Sequence, residues 1–421
     1  MKKRKISISL GRITLITIIL TAVYFAFINL GPIFIYIIQN QTVLNGSKTE
    51  TASTSNNSYE QQIISYEDRE KLRQKFPNLE YHGKVYYTVY GKRVLEDDTF
   101  LDLSDIEVDE NLVDKLMLLK NINEVSLYNQ NFSMDEKMAL HEIFPNVKFN
   151  WIVEILGENV DSNTETLDLS NKTIADINGF KQTLRMFTNL KTLDMSNTNL
   201  SNEELGSLRE AFPNVRIDWV VHLGKWSLRT DAVAFSVLVT QFDYRRMTSA
   251  DIQVLKYCTE LQALDLGHQA IEDISVIGEY LPNLRVLILA DNKIKDISPL
   301  ANLVHLHYLE LFMNDITDVT PLASCTELVD LNICFNYRFS NVDGILNLPK
   351  LERLWLISDR ISSESYRLIR QTYPNVTLVT TGTGSTGSGW RSHERYFTMI
   401  DMYRNNYISD VFLKYGGINL K

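Results

Sequence analysis

The chain has 421 residues, long enough to bury a large core, and 44% of them are apolar. Its formal charge of −10 is uneven: residues 1–38 hold five bases and no acid, which leaves 37 bases against 52 acids in the rest. A body that acidic lacks the basic surface needed to neutralise phosphates, so nucleic acid is excluded as an expected partner. The three cysteines, Cys258, Cys325 and Cys334, form no Cys-x-x-Cys pair and no metal-ligand spacing. They read as small apolar fillers, and disulfides are not expected to hold the fold.

The first element is a basic run (Lys2, Lys3, Arg4, Lys5, Arg12) over residues 1–12, followed by an apolar stretch from Ile13 to Ile38. As a helix that stretch would reach roughly 39 Å, more than the ~30 Å hydrocarbon layer. Bases on its N-terminal side alone predict a cytoplasmic N-terminus and everything after Gln39 outside. A cleaved signal peptide is the competing reading, but the apolar region is long for one and Leu20 and Tyr24 fit a small-residue cleavage site badly. Residues 39–60 are rich in Ser, Thr and Asn and read as a flexible stalk.

Internal repeats follow. Phe76-Pro77-Asn78, Phe144-Pro145-Asn146 and Phe212-Pro213-Asn214 recur every 68 residues, and Tyr373-Pro374-Asn375 is a fourth copy. Twelve residues before each proline stands Ser65, Ser133, Ser201 or Ser362, and three residues after the first three serines come Asp68, Glu136 and Glu204. That spacing predicts capped helices, with a weaker cap in the fourth copy, where Ser365 replaces the acid. The runs 147–157 and 215–224 read as strands. Residues 61–260 thus form long-period units. From 261 to 381 the period is 22–23, marked by Leu264/Leu266, Leu287/Leu289, Leu309/Leu311, Leu331/Ile333 and Leu354/Leu356. Asn292, Asn314 and Asn336 stand where a side chain can bond the backbone of a turn between coils, and Asp-Ile-Ser-Pro-Leu (296–300) and Asp-Val-Thr-Pro-Leu (318–322) are matching outer turns.

The pattern L-x-x-L-x-L-x-x-N-x-I-x-D-I-x-x-L in 261–361 resembles the 22-residue class of leucine-rich repeats found in the internalins of Gram-positive bacteria. Trp151 and Trp219 after the FPN turns, WSLRTDAVAF (226–235), YCTELQALDLGH (257–268) and GSGWRSHERYFTMIDM (387–402) look like a group of membrane-attached repeat proteins from Firmicutes. The resemblance implies an α/β leucine-rich-repeat solenoid, a horseshoe with a parallel β-sheet on its concave face. With the N-terminal reading, one transmembrane helix precedes it in a single-pass protein of the cell membrane, the repeats being extracellular.

In such repeats the residues between the leucines form the concave face. Thr166, Asp168, Ser170, Thr192, Asp194 and Ser196 make it polar in the long units. In the short ones Val286, Ile288, Tyr308, Phe312, Met313, Phe335, Trp355 and Ile357 make it apolar, fringed by Glu310 and Arg353 among other charges. Strands about 4.8 Å apart would join these into one surface, and a patch of that extent marks a protein-binding site. Burial of the face by the chain's own tail is an alternative, as is a one-residue shift that would turn these side chains into the core.

Residues 382–421 combine a Gly/Ser/Thr linker with an amphipathic helix, in which Tyr396, Ile400, Tyr403, Tyr407 and Val411 recur every three or four residues. Capping the end of the solenoid is its expected role; covering the concave sheet or meeting a partner are the others. The Gly-x-Gly elements of 380–389 lack the lysine of a phosphate loop. Cys334, His307 and Asp330 could form a nucleophile, base and orienter, but no nucleophile elbow or Gly-rich oxyanion loop accompanies them. His305 and His307 lack a third metal ligand, and Glu96-Asp97-Asp98 lacks a calcium-loop spacing. The expectation is a non-enzymatic adhesion or recognition module with no catalytic residues, cofactor or metal and no implied oligomeric state. The alternative is an envelope scaffold that holds a neighbouring complex through its membrane helix or tail.

Overall fold

The computed structural model describes residues 63–77, 83–237, 246–358 and 360–413. They divide into two compact units, one running to Thr164 with 176–189 added, the other made of 165–175 and the chain from Leu190 onward.

In the first unit β1 (Ile63–Ser65) runs into α1 (Tyr66–Lys75) and pairs in parallel with β2 (Lys84–Val89), which doubles back into β3 (Lys92–Leu95). Tyr90 and Gly91 both adopt left-handed angles (φ 49° and 80°), as a two-residue hairpin turn requires. Next, β4 (Phe100–Asp102), β5 (Glu124–Ser126) and β6 (Lys148–Asn150) make a parallel sheet, with α2 (Leu112–Met117) and α3 (Met134–Ile143) in the crossovers. A second hairpin, β7 (Ile152–Ile155) and β8 (Glu158–Asp161), turns at Leu156–Gly157 with the same two positive angles. The last helix of this unit is α4 (Ile177–Leu184).

The second unit opens with β9 (Thr166–Asp168), β10 (Thr192–Asp194) and β11 (Arg216–Asp218), which align Leu167, Leu193 and Ile217. Between β10 and β11 lies α5 (Asn202–Ala211), and β12 (Val220–Leu223) with β13 (Trp226–Arg229) forms a further hairpin. Seven parallel strands complete the unit: β14 (Ala234–Ser236), β15 (Ala263–Asp265), β16 (Val286–Ile288), β17 (Tyr308–Glu310), β18 (Asp330–Asn332), β19 (Arg353–Trp355) and β20 (Thr377–Val379). The returns are short: α6 (Ser275–Tyr280), 3-10 turns at Asp251–Tyr257, Ser298–Asn302 and Thr320–Ser324, and α7 (Ser363–Thr372). After β20 comes α8 (Glu394–Asn405).

Local chemistry accounts for these elements. Ser133 and Ser201 each accept from the N–H three residues on, while Glu136 and Glu204 return a bond to the serine N–H at 2.8 Å. Ser65 caps α1 through the N–H of Asp68 at 3.0 Å, and Ser362 caps α7 through the N–H of Ser365 at 3.0 Å, in this second case without an acid to reciprocate. The FPN-turn strands, read from sequence as single runs, are split: β6 and β11 join the parallel sheets, and the tryptophan turns the chain into a hairpin. Trp151 and Trp219 are buried at that junction, their backbone N–H groups donating to Ser162 Oγ and Thr230 Oγ1 at 3.1 Å.

In the short coils Leu287, Leu309, Leu331 and Leu354 are in line across the ladder and inaccessible to solvent. Asn314 spans two coils: its Nδ2 donates to Leu289 O (2.9 Å) and Leu311 O (3.0 Å), and its Oδ1 accepts from Ile294 N (3.0 Å). Asn292 and Asn336 repeat this set one coil to either side. On the outer side Asp296 and Asp318 accept from the N–H two residues on, which sets up the Pro299 and Pro321 turns. The coils pack so closely there that a Cβ on Gly344 would lie 1.9 Å from Val319 O.

One part of the expected fold class is corrected. Among the described residues no helix is long and apolar enough to cross a membrane. Their longest helix, α8, has 12 residues, roughly 18 Å against a ~30 Å hydrocarbon layer, and carries charge. The expected segments 1–12, 13–38 and 39–60 lie outside the described residues, and the fold class of the described residues is the repeat α/β architecture without a membrane helix.

Removing the inter-coil bonds in Asn314→Ala should lower stability by about 2–3 kcal/mol, because it strands buried backbone groups. Crowding the turn in Gly344→Ala should cost about 1–3 kcal/mol. Urea unfolding of each variant measures both; losses below about 0.5 kcal/mol would mean that the inter-coil contacts do not hold the stack.

Candidate functional site

Each three-residue strand of the large sheet points its middle residue at the leucine core and its outer two at the opposite face. The expected site residues do lie on that face, but the surface is not open. Val286, Ile288, Tyr308, Glu310, Phe312, Arg353 and Trp355 are all buried, Phe335 and Ile357 are half-buried, and Met313 alone of the ten is exposed, at 46%. The chain's own C-terminal segment covers them: Trp390, Met399, Met402 and Phe412 are buried against Ala234, Ala263, Val286, Ile288, Tyr308, Cys334 and Trp355. The expected role of the tail as an end cap is therefore corrected, since it lies across the sheet.

The segment crosses from one side of the sheet to the other. It arrives on the linker, where Asn332 Nδ2 donates to Ser385 O (2.7 Å) and Trp355 Nε1 to Gly387 O (2.9 Å). Trp390 then wedges between Trp355 and Tyr308, with ring centroids 5.0 and 5.3 Å away, and the Arg353 guanidinium lies 4.6 Å above it. Its indole N–H reaches Glu310 Oε1 at 2.7 Å. At the far end the Oδ1 of Asn406, the left-handed residue that ends α8, accepts from Val233 N (2.8 Å) and Ala234 N (3.1 Å) beside β14. Arg285 donates to Phe412 O at 3.3 Å.

Two charge clusters lie beneath the segment. In one, Asp330 is fully buried and receives Arg353 Nε (2.6 Å) from the sheet and both Arg395 Nε (2.7 Å) and an Arg395 terminal nitrogen (2.9 Å) from α8. Arg395 also reaches Glu352 at 2.7 Å. Such paired, charge-assisted bonds hold a carboxylate that would otherwise be costly to bury. In the other, Asp265 accepts from Ser236 Oγ (2.7 Å) and Gly267 N (2.9 Å), and Glu310 accepts from the Tyr308 hydroxyl and from Trp390. Burial raises the pKa of both carboxyls, only partly offset by their hydrogen bonds and by Arg391.

The residues weighed for catalysis are placed differently. Asp330 is engaged by two guanidiniums, His307 Nδ1 bonds its neighbour's carbonyl at His305, and burial under the tail pushes the Cys334 thiol up to about 12. Cys258 and Cys325 are buried as well. The polar positions of the long units stay accessible at Thr166 and Asp168, while Ser196 is buried and Asp194 is held by Arg229 at 2.8 Å.

The sequence reading missed Trp390, Arg395, Met399 and Met402 as the contact face of the tail. It followed Tyr396, Ile400, Tyr403 and Tyr407 instead, yet Tyr407 is exposed while Met399 and Met402 are inaccessible. The i, i+4, i+7 spacing of Arg395, Met399 and Met402 carried the signal, once an arginine paired to Asp330 is counted as part of the buried face.

These stacked coils are leucine-rich repeats where the sequence shows it: residues 282–324 match the family model described as leucine rich repeats, in two copies. Among solved structures the chain is similar to internalin C2 of Listeria monocytogenes, with 22% identity, a TM-score of 0.29, and coverage of 54% of this chain and 87% of that one. It is similar to an internalin (inlF) of the same species at 20% identity, with 77% and 92% coverage and a TM-score of 0.33. A leucine-rich-repeat protein of Leptospira interrogans shares 19% identity over 63% of this chain and 74% of that one, with a TM-score of 0.31. No curated protein matches the sequence.

Replacing Arg395 by Ala leaves Asp330 with one guanidinium beneath α8. Loss of one partner from a buried pair costs about 3–5 kcal/mol, so the tail should undock rather than the repeats unfold. Cys334, under the tail, should then alkylate on the order of 100-fold faster, while Cys258 and Cys325 stay protected. An unchanged Cys334 rate would show that the arginine does not hold the segment down.

Proposed function

We propose that this protein is a protein-recognition module whose binding surface is the large-sheet face of the second unit, with residues 390–413 as a resident occupant that a partner displaces. The observation that carries this reading is the mode of occupation. Residues 390–413 lay an aromatic anchor ahead of α8, and from α8 a buried arginine and two methionines, across the large sheet, which is how a peptide groove is filled. The linker is also longer than the docking needs. Val379 pairs directly with Trp355, on which Trp390 packs, yet ten residues lie between Val379 and Trp390. Once the bonds of its Ser385 and Gly387 carbonyls to Asn332 and Trp355 are released, that length lets the segment leave and return without disturbing the repeats.

The same reading places the module outside the cytoplasm, as a bacterial surface protein. It is supported by the basic run followed by an apolar stretch in residues 1–38, a pattern that directs export.

The test uses a labelled synthetic peptide of residues 388–413. A tethered segment competes at an effective concentration on the order of millimolar, so the intact chain should bind the free peptide weakly. The full-length double variant Trp390→Ala/Arg395→Ala, whose own tail has lost both anchors, should bind it at least ~30-fold more tightly. Equal, weak binding by both would remove this face from consideration as a recognition surface.

A further inference from the structure

Beneath α8 the two charge clusters differ in their balance. Asp330 and Glu352 face Arg353 and Arg395, two acids to two bases. Asp265 and Glu310 face one guanidinium among the described residues: Arg391, 3.6 Å from Glu310 Oε2. Between them and the helix is a cavity of about 110 Å³, lined by Asp265, His268, Ile288, Arg391, Tyr396 and Tyr403. On its lining the Tyr403 hydroxyl finds no hydrogen-bond partner among the described residues, and beyond the lining Glu310 Oε2, which faces the lining residue Arg391, finds none either. The other titratable groups do not restore the balance. Tyr308, Tyr396 and Tyr403 are neutral phenols whose pKa burial raises further. His268 is bonded to Asp291 at 2.9 Å, and Arg246 also lies 3.6 Å from Asp291.

A buried site with two carboxyls and one cation is neutral only if it keeps a proton. We propose that docking of the C-terminal segment carries a proton held by the Asp265–Glu310 pair, so that the sheet face is closed at lower pH and opens as pH rises. The regulated surface is that of the function proposed above, and in that sense the inference rests on it. With the segment away, both carboxyls face water and ionise in the ordinary range. With it docked, burial raises their pKa. A group whose pKa is raised on docking favours the docked form below its free pKa, and that contribution is lost as pH climbs through the docked value.

His393 acts in the opposite sense. Burial, with Arg353 and Arg395 nearby, lowers its pKa, and its Nδ1 accepts from Arg395 N at 3.2 Å to cap α8. Its contribution is present above the free imidazole range and is lost on acidification. The carboxyl limb is therefore isolated by comparing variants that share His393.

The probe is the alkylation of Cys334 in the full-length chain, followed by mass spectrometry from about pH 5 to about pH 9. The rate in the wild type is divided by that in Glu310→Gln at each pH, which cancels both the ionisation of the thiol and the His393 limb. The Glu310→Gln variant retains Asp265 and Arg391 as a balanced pair, so the wild-type/variant ratio should rise at least ~10-fold across the range, the equivalent of one pKa unit. Asp265→Asn should give the same rise from the other carboxyl, with Cys258 and Cys325 unreactive as the check that the repeats remain folded. A ratio that stays flat with either variant overturns the proposal. A rising ratio with no binding of the 388–413 peptide in trans would keep the proton linkage and discard the recognition reading instead.

Discussion

Asp330 sits beneath the tail with no access to water, and its two oxygens are divided between an arginine of its own sheet and one from α8. Much else about the second unit depends on that arrangement. Without Arg395 the carboxylate would face a single partner under an apolar roof, a state that low-dielectric surroundings penalise strongly. With it, the charge is met and α8 is fixed in position and rotation, so that Met399 and Met402 meet the strands and Trp390 meets Trp355. The ion pair sets the register of the contact, and the apolar burial around it supplies the larger driving force.

The repeats were largely legible, because a solenoid writes its packing into the sequence at a fixed period. The leucine pairs, the asparagine positions and the serine caps of the long units each predict a local bond that exists in the structure. The hairpins after Trp151 and Trp219 were less visible, since only Trp151 separates β6 from β7 in one largely alternating run and the left-handed Leu156–Gly157 turn marks the return. The site was half legible. Alternation along each strand identified the face, but it records only that a side chain leaves the leucine core and not what lies beyond it. Trp355 reads the same whether its cover is a partner or residues 390–413. What could have separated the two is the pairing of lone charges: Asp330 and Glu352 against Arg353 alone leave an acid short of a partner, and Arg395 in the tail supplies it.

An apolar stripe across seven strands is a liability unless it is covered, and the chain covers it in cis. Attachment makes such a cover effective even when its intrinsic affinity is modest, because the linker keeps the segment at high local concentration. It also sets the threshold a competitor must pass. A partner has to exceed the tethered segment in affinity, or act when docking has been weakened by other means. The exposed outer side of α8, with Phe397 at 61%, shows that the helix is built to meet the sheet on one side only.

The two charge clusters divide the labour of that cover. The balanced one, at Asp330, lies over β18 and β19 beside the linker, where Asn332 and Trp355 also hold the incoming backbone. The unbalanced one lies farther along, under Tyr403 and over β15 to β17. Deprotonation there leaves an uncompensated charge under α8, from Tyr403 back to the Trp390 and Arg391 contacts of Glu310, while the bonds of Arg395 to Asp330 and Glu352 stay in place. Opening should therefore begin at the end marked by Asn406 and β14 and run on toward Cys334, because Glu310 is itself a partner of Trp390. The strands it bares first, β14 to β16, carry the small and aliphatic positions Ala234, Ala263, Val286 and Ile288, and the Trp390 wedge over Tyr308, Cys334 and Trp355 follows. A partner that enters from that side would meet a smooth apolar floor before it competes for the aromatic anchor.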